Sequence, residues 1–353
     1  MTKTLTAWTG IDVSKDTFDI AYVSTEKGVP FEKDVPFHRI PARQFPRTLT
    51  GAEDALTWLD EALGFPKPFE EHVWVVMEAC GKYAEELRLW LSMNRGPSIC
   101  MITPSLTAAY AKSRGLRNKT DRVDARLLAL FGQERKPKIQ KIPSRTYQIL
   151  KDLWRCRQEY VELQVAEKNR AGQPLQTEAV QKIRKKHLEE LQDHIDRVEK
   201  EIKKLLNRAP KLKKDVDLLC TIKGIGFLTA VMVIAEMGDL RRFARSRQVG
   251  AFAGLNPSKF ESGTSVKKTT IISRKGSAVL RAGLYMPALT ACRFNEQMKI
   301  FYERLIRKGK SKKAAVVAVM RKLLVLMRAI LKTGVPYQED FQKGASAEKM
   351  CKT

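Results

Sequence analysis

The sequence lacks an apolar run approaching the roughly 18 residues that span a bilayer, and its opening, Met1 to Gly10, has no basic segment followed by an apolar one. Neither membrane insertion nor secretion is expected. Its six cysteines (Cys80, Cys100, Cys156, Cys220, Cys292 and Cys351) are scattered, with no CxxC pair and no histidine at zinc-finger spacing. That excludes a zinc ribbon and leaves reduced thiols in a cytoplasmic compartment as the simple reading. No motif that reads base edges is evident, and no strongly amphipathic basic segment carries an exposed apolar face of the kind that lies on a membrane. With 43% hydrophobic and 29% charged residues, the chain is not wholly disordered, and 353 residues allow two or three domains, each with its own core.

Acidic residues are scarce in the second half of the chain. Overall, 65 Lys and Arg face 39 Asp and Glu, a net charge of +26. Residues 1–135 hold 18 basic and 18 acidic side chains, residues 136–208 hold 18 and 11, and residues 209–353 hold 29 and 10. The whole excess lies after residue 135. So basic a section repels itself unless a polyanion neutralises it, and counterion release from DNA or RNA is the usual gain. A merely solubilising charge is the bland alternative.

The opening reads as a hairpin, with Ala7–Val13 and Thr17–Val23 as strands around a turn at Ser14-Lys15-Asp16. A third strand is expected within Glu32–Ile40, then a helix capped by Thr50 and running to Leu63. The continuous run Val73-Trp74-Val75-Val76-Met77 suits a buried strand that ends at Glu78. A helix over Lys82–Met93, a strand over Ser98–Ile102 and further helices through Arg135 complete an α/β sheet with a leading antiparallel hairpin. Lys136–Ser144, with Pro137 and Pro143, reads as a linker. A helical pattern then continues from Thr146 for about sixty residues, interrupted at Ala171–Thr177. Leu188, Leu191, Ile195, Val198, Ile202 and Leu205 alternate spacings of three and four, which predicts an antiparallel coiled-coil hairpin. Its seam can pair within the chain or with a second copy, and the small surface buried by a charged two-helix hairpin favours the second copy. After Pro210 comes a mostly helical unit. In it, Thr221–Gly226 is a glycine-punctuated turn that can offer backbone N–H groups to a phosphate beside Lys223, or can simply join two helices. Lys343–Thr353 is a polar tail.

Four acids stand out by position: Asp12 near the end of the first strand, Glu78 at the end of the buried strand, and Asp121 with Asp124 at a helix start. Strand ends of an α/β sheet converge on one edge, and acids three apart share a helix side. Carboxylates gathered in one pocket need protons or a divalent metal, and two hard ions about 3.5 to 4 Å apart suit phosphodiester cleavage. Each acid also has an ordinary structural reading, as a cap, a turn closer or an ion-pair partner. Ser262, beside Gly263 in a turn-rich segment, is sterically open and could attack phosphorus if activated, or could be a plain turn serine. Arg274, Lys275 and Arg281 follow as candidate phosphate clamps. Lys312–Lys332 reads as a buried stripe with a solvated basic face at Arg321, Lys322 and Arg328.

Five ordered blocks carry a family resemblance: Gly10-Ile11-Asp12, Glu78-Ala79-Cys80-Gly81-Lys82-Tyr83, Gly115 through Ala125 with Asp121 and Asp124, Ile222-Lys223-Gly224-Ile225-Gly226, and Phe252 through Pro257 with Glu261-Ser262-Gly263. Together they resemble the insertion-sequence "one-ten" family of transposases, related to the Piv pilin-gene invertases, over about residues 7–337. Cys80 departs from the family's usual threonine and leaves Glu78 intact. The resemblance implies a RuvC-like amino-terminal domain of the ribonuclease H fold (1–135), with Asp12, Glu78, Asp121 and Asp124 as a DEDD tetrad for Mg²⁺ or Mn²⁺. It implies a linker and oligomerising coiled-coil hairpin (136–209), then a carboxy-terminal transposase domain (210–342) before the tail (343–353). There Ser262, rather than Ser265, would form a covalent 5′-phosphoserine link to DNA and release a 3′-OH. The implied partners are double-stranded target and donor DNA, a structured bridge RNA that guides the enzyme, and further copies of the chain in a homodimer or tetramer, with a site composed across subunits. The setting would be a prokaryotic cytoplasm, in association with the nucleoid. Arg114, Arg117, Lys119, Lys223, Lys267, Lys268, Arg274, Lys275 and Arg281 are the candidate nucleic-acid contacts. A metal-dependent junction nuclease that uses water, and a noncatalytic nucleic-acid-binding protein, are the competing classes.

Overall fold

In the computed structural model, which describes residues 7–24, 37–64, 72–93, 96–116, 120–139, 144–174, 176–258, 261–262, 266–267 and 271–338, the chain forms two compact units, Met1–Ile142 and Pro143–Thr353. The first is an α/β unit and the second, within the described residues, is nearly all helix. The alternation at the start of the chain gives strand β1 (Ala7–Val13), paired antiparallel with β2 (Thr17–Ser24). Ser14 closes the turn between them by donating its hydroxyl to the Thr17 carbonyl at 2.8 Å. β3 (Ala42–Pro46) adds antiparallel to β2, while β4 (Val73–Glu78) and β5 (Ser98–Ile102) add parallel on the other side. The strand order is β3-β2-β1-β4-β5.

Two expectations shift here. The third strand begins after Pro41 rather than within Glu32–Ile40. Phe37–Arg39 is a short 3-10 turn, and residues 32–36 lie outside the described set. Burial of Phe45 against Phe18, with ring centroids 5.8 Å apart, and against Trp58 fixes the later position. Helix α1 (Leu49–Leu63) is capped by Thr48, not Thr50. The Thr48 hydroxyl accepts from the Gly51 N–H, and a Cβ on Gly51 would stand 2.0 Å from the Pro46 carbonyl oxygen. The tight approach of the helix start to β3 thus sets the cap.

Strand alternation sorts the sheet's two faces. Ile11, Phe18, Ile20, Val73, Val75 and Met77 join one core with α1 and α2 (Lys82–Leu91). Trp8, Val23 and Val76 join another with α3 (Pro104–Ser113) and α4 (Asp121–Arg135). Gly10, Asp12 and Glu78 therefore face α4. Contact at Gly10 is so close that a Cβ there would stand 2.0 Å from the Ala125 carbonyl oxygen and 2.3 Å from the Ala129 nitrogen, which is why only glycine fits.

In the second unit, α5 (Arg145–Ala171) and α6 (Glu178–Arg208) form the antiparallel hairpin. Arg157 reaches Glu199 at 2.7 Å, Gln164 donates to Gln192 at 2.9 Å, and Arg184 donates to Glu167 at 2.7 Å. Leu191, Ile195, Ile202 and Leu206 are buried within the chain, so the apolar seam pairs internally, one of the two pairings open to it. The root of the hairpin, through Leu150, Trp154, Ile202 and Leu206, shares one core with α7 (Pro210–Cys220), α8 (Phe227–Met237), α9 (Ser246–Phe252), α10 (Ala278–Phe294), α11 (Glu296–Arg307) and α12 (Lys312–Thr333). That shared core places the hairpin and the carboxy-terminal helices in one unit. Arg241 clamps buried Asp215 through two nitrogens and donates to the Leu331 carbonyl at 2.8 Å, tying α7 to α12. No helix among the described residues is long and apolar enough to cross a membrane.

Candidate active site

Parallel pairing sets Gly10 beside Val76 and Ile11 beside Met77, so β1 and β4 end at the same edge of the sheet and carry Asp12 and Glu78 there. Helix α4 runs over that edge. Its Ala125 rests on Gly10, and the turn before it, capped by Thr120, holds Asp121 and Asp124. The Thr120 hydroxyl accepts from the Val123 N–H at 3.3 Å, so the cap reading and the site reading of this turn coexist. The other three acids all act on Asp12. The Asp12 carboxyl is pushed up from 3.8 to about 6, first by burial and then by the negative charges of Asp124, Asp121 and Glu78, against a hydrogen bond from the Val13 backbone. Burial, then Asp12, also raise the Cys80 thiol above its ordinary value. It stays protonated near neutrality and is no rival nucleophile. Among the described residues, no three His, Cys, Asp or Glu side chains stand in ion-holding geometry as placed. The raised Asp12 reflects its burial first and the repulsion of the other carboxylates second.

Several neighbours hold this edge together. Thr107 on α3, 3% exposed, donates its hydroxyl to Glu78. Arg47 donates to the Lys15 carbonyl at 2.6 Å, pairs with Glu86 and lies 4.4 Å over the Tyr83 ring, so it fastens the β1–β2 turn to α2. Asp19, opposite Asp12 in the β1–β2 ladder, accepts from the Gln44 amide at 2.8 Å.

The second unit carries the serine candidate on an extended arm. β6 (Pro257–Ser258) pairs with β9 (Ile271–Ile272), and β7 (Glu261–Ser262) pairs with β8 (Val266–Lys267). Ser262 is opposite Val266, in the last ladder pair before residues 263–265, which lie outside the described set together with Ser265. The root of the arm is tight. A Cβ on Gly276 would meet the Gly254 nitrogen at 2.4 Å, and Gly254 has left-handed backbone at φ +67°. Arg281 turns into this root and donates through one Nη to the carbonyls of Ala253, Gly276 and Ser277 at 2.9 to 3.2 Å. That nitrogen is engaged as a staple of the arm, so any phosphate contact by Arg281 falls to its other N–H groups. Arg274 and Lys275 are exposed beside it, and Lys223 is exposed in the turn between α7 and α8. Gly224 in that turn has φ +100° and fits against Ala291 of α10, where a Cβ would stand 2.9 Å away, so helix packing accounts for this glycine. Arg114 pairs with Glu134 over the Tyr110 ring in the first unit. Arg117, Lys119 and Lys268 lie outside the described residues, and Lys267 is described only as part of β8. Arg328, expected on a solvated basic face, instead donates to the Phe243 and Ala244 carbonyls.

Residues 9–179 match a DEDD transposase family of the IS110 type, and residues 216–303 match the "Transposase IS116/IS110/IS902 family". A pilin gene-inverting protein of Moraxella lacunata is 32% identical over 267 residues, covering 75% of this chain and 82% of that protein. The chain belongs to the IS110 family of transposases. A second pilin gene-inverting protein, from Moraxella bovis, is 29% identical and covers 94% of the chain and 97% of its own length. The transposase for insertion sequence element IS1111A of Coxiella burnetii is 26% identical, covering 95% and 91%.

Sequence reasoning passed over Thr107, Arg47 and Asp19 of this transposase. Only Asp19 had a signal, since a strand pair closed at Ser14–Asp16 sets it across from Asp12. The coupling of the acids has a measurable sign. A carboxyl whose folded value is raised binds more protons folded than unfolded, so its contribution to stability is present below about 3.8 and is lost as pH rises through about 6. In chelator-treated protein, Asp12→Asn is therefore expected to be more stable than the parent at pH 7.5, on the order of 2 kcal/mol after allowance for solvent screening. The difference should shrink towards pH 4 in urea unfolding, and a variant no more stable than the parent at pH 7.5 would contradict the coupling.

Proposed function

We propose that this transposase cuts and rejoins DNA strands through a covalent serine link at a metal-dependent acidic site, directed by a guide RNA. The observation that carries the reading is the shared field of Asp12, Glu78, Asp121 and Asp124 at one sheet edge. The strand order β3-β2-β1-β4-β5, with a leading antiparallel hairpin, supports a RuvC-like, ribonuclease H-type fold for residues 1–135. An all-oxygen, mutually repelling donor set is of the kind that takes Mg²⁺ or Mn²⁺. Asp12, Glu78, Asp121 and Asp124 would hold the ions, which when bound supply charge stabilisation at the attacking and leaving oxygens. Thr107 orients Glu78, and α4 fixes the two aspartates against β1.

In the proposed reaction the Ser262 hydroxyl attacks phosphorus. A bond from its oxygen to phosphorus forms, the bond to the 3′ oxygen breaks, the serine gives up its proton and the departing 3′ oxygen gains one. The 5′-phosphoserine conserves the energy of the broken ester, so a new 3′-OH can attack it and rejoin without an external energy source. Residues 210–342 would form the serine-bearing domain, with residues 136–209 as linker and oligomerising hairpin in a homodimer or tetramer. The +26 charge and the absence of a base-reading motif support handing sequence choice to a structured RNA that pairs with target and donor DNA in a prokaryotic cytoplasm. The two pilin gene-inverting relatives, named for inverting a gene, support strand exchange over simple hydrolysis.

Ser262→Ala is expected to lower recombination by roughly a thousandfold or more and to abolish the protein–DNA adduct seen on denaturing gels, while Ser265→Ala keeps both. Undiminished cutting by Ser262→Ala would leave a water-using nuclease. Ribonuclease treatment of the purified protein is expected to stop recombination, with one discrete RNA recovered from untreated protein by sequencing. Full activity on naked DNA after that treatment would remove the guide.

A further inference from the structure

Asp19 is a buried acid that the proposed chemistry does not use. Its register opposite Asp12 sets it on the sheet face covered by α4, and it is only 1% exposed. One oxygen, Oδ2, accepts from the Gln44 amide. The other, Oδ1, is buried with no hydrogen-bond partner, and the Nε of Arg122 lies 3.6 Å from it. A buried carboxylate is costly to the fold unless a cation answers it. Here the answering cation comes from the most exposed part of the neighbourhood, because 64% of the Arg122 side chain is open to solvent.

Arg122 stands between Asp121 and Asp124 in the first turn of α4. A guanidinium in that position could fall onto the very acids that flank it and cancel the charge on which a metal site depends. Asp19 gives it another anchor. The anchored atom is Nε, the nitrogen nearest the backbone, while the side chain as a whole remains largely in water. An arginine held in this way keeps N–H donors for a planar, two-point grip on a phosphate.

We infer that Arg122, anchored by Asp19, binds a non-bridging phosphate oxygen of the DNA strand presented to the acid cluster. Arg122 touches the substrate, and Asp19 is a positioning residue that acts through it. The inference rests on the reading of the cluster as a DNA-cutting centre, but it is tested by binding rather than by cutting. A fluorescein-labelled DNA duplex is titrated with the full chain, purified with whatever RNA it retains, across a series of KCl concentrations in EDTA. Arg122→Gln and Asp19→Asn are each expected to weaken binding about tenfold. Arg122→Gln is also expected to flatten the dependence of log affinity on log salt by about one unit, the signature of one lost phosphate contact, whereas Asp19→Asn, which keeps the charge of Arg122 but frees it from its anchor, leaves the slope near the parental value. Arg122→Lys restores the slope, since it keeps the charge. Mn²⁺ affinity, followed by electron paramagnetic resonance of the free ion, stays at the parental value in both Arg122→Gln and Asp19→Asn.

An unchanged salt slope in Arg122→Gln would overturn the inference, as would a loss confined to an RNA duplex with DNA binding intact. Loss of Mn²⁺ affinity in Asp19→Asn would instead make Asp19 one of the metal-holding acids and would also overturn it. If Asp19→Asn fails to fold, Arg122→Gln alone decides. Failure of the cutting mechanism would appear in Ser262→Ala and leave the salt slopes untouched, so the two outcomes are separable.

Discussion

Negative charges are forced together at the carboxyl edge of β1 and β4, and much of the first unit can be understood as the means of enforcing that crowding. Alternation along the strands turns Asp12 and Glu78 to the same side, and the bare Cα of Gly10 lets α4 settle close enough to bring Asp121 and Asp124 over them. Thr107 takes up one oxygen of Glu78, and Arg47 ties the turn after Asp12 to the helix after Glu78. Left alone, four carboxylates would disperse or take up protons, and the upward shift of Asp12 registers the second response. Stability is given up there, the kind of local conflict with the fold that marks functional sites, and under the proposed reading a divalent cation would answer it.

The second unit solves a different problem. It carries most of the excess positive charge, and its Ser262 lies in a short two-stranded ladder opposite Val266. Its basic side chains divide into two kinds. Arg241, Arg281 and Arg328 point their nitrogens at protein oxygens and hold turns in place, whereas Arg274 and Lys275 are exposed. Net charge alone does not make this distinction, because a guanidinium that satisfies three carbonyls counts the same as one that is free to meet a phosphate.

That distinction also shows how far the sequence could be read. β1, β2 and β4 were legible because period-2 alternation, a serine-closed turn and an unbroken apolar run are local signals. The later start of β3 was not, since Ala42-Arg43-Gln44 has little strand character and the strand is placed by Phe45 meeting Phe18 and Trp58 from elsewhere in the chain. Two threonines competed to cap α1, and the contact between Gly51 and Pro46 chose Thr48. In the site, the four acids stood at strand ends and a helix start, where convergence can be anticipated. Thr107 had no such signal, because its role comes from where α3 lies against Glu78. Arg281 was read as a phosphate clamp because its neighbours are basic, and nothing local announced that one of its Nη atoms also satisfies the carbonyls of Ala253, Gly276 and Ser277.

The central claim is that the raised proton affinity of Asp12 and the capacity to bind a divalent ion are one property of one cluster. Calorimetric titration of Mg²⁺ into chelator-stripped protein at pH 6, repeated in two buffers of different ionisation enthalpy, measures both at once. The account predicts that binding expels protons in the parent and that the proton release disappears in Asp12→Asn. Binding without proton release in the parent, or an undiminished release in Asp12→Asn, would contradict it.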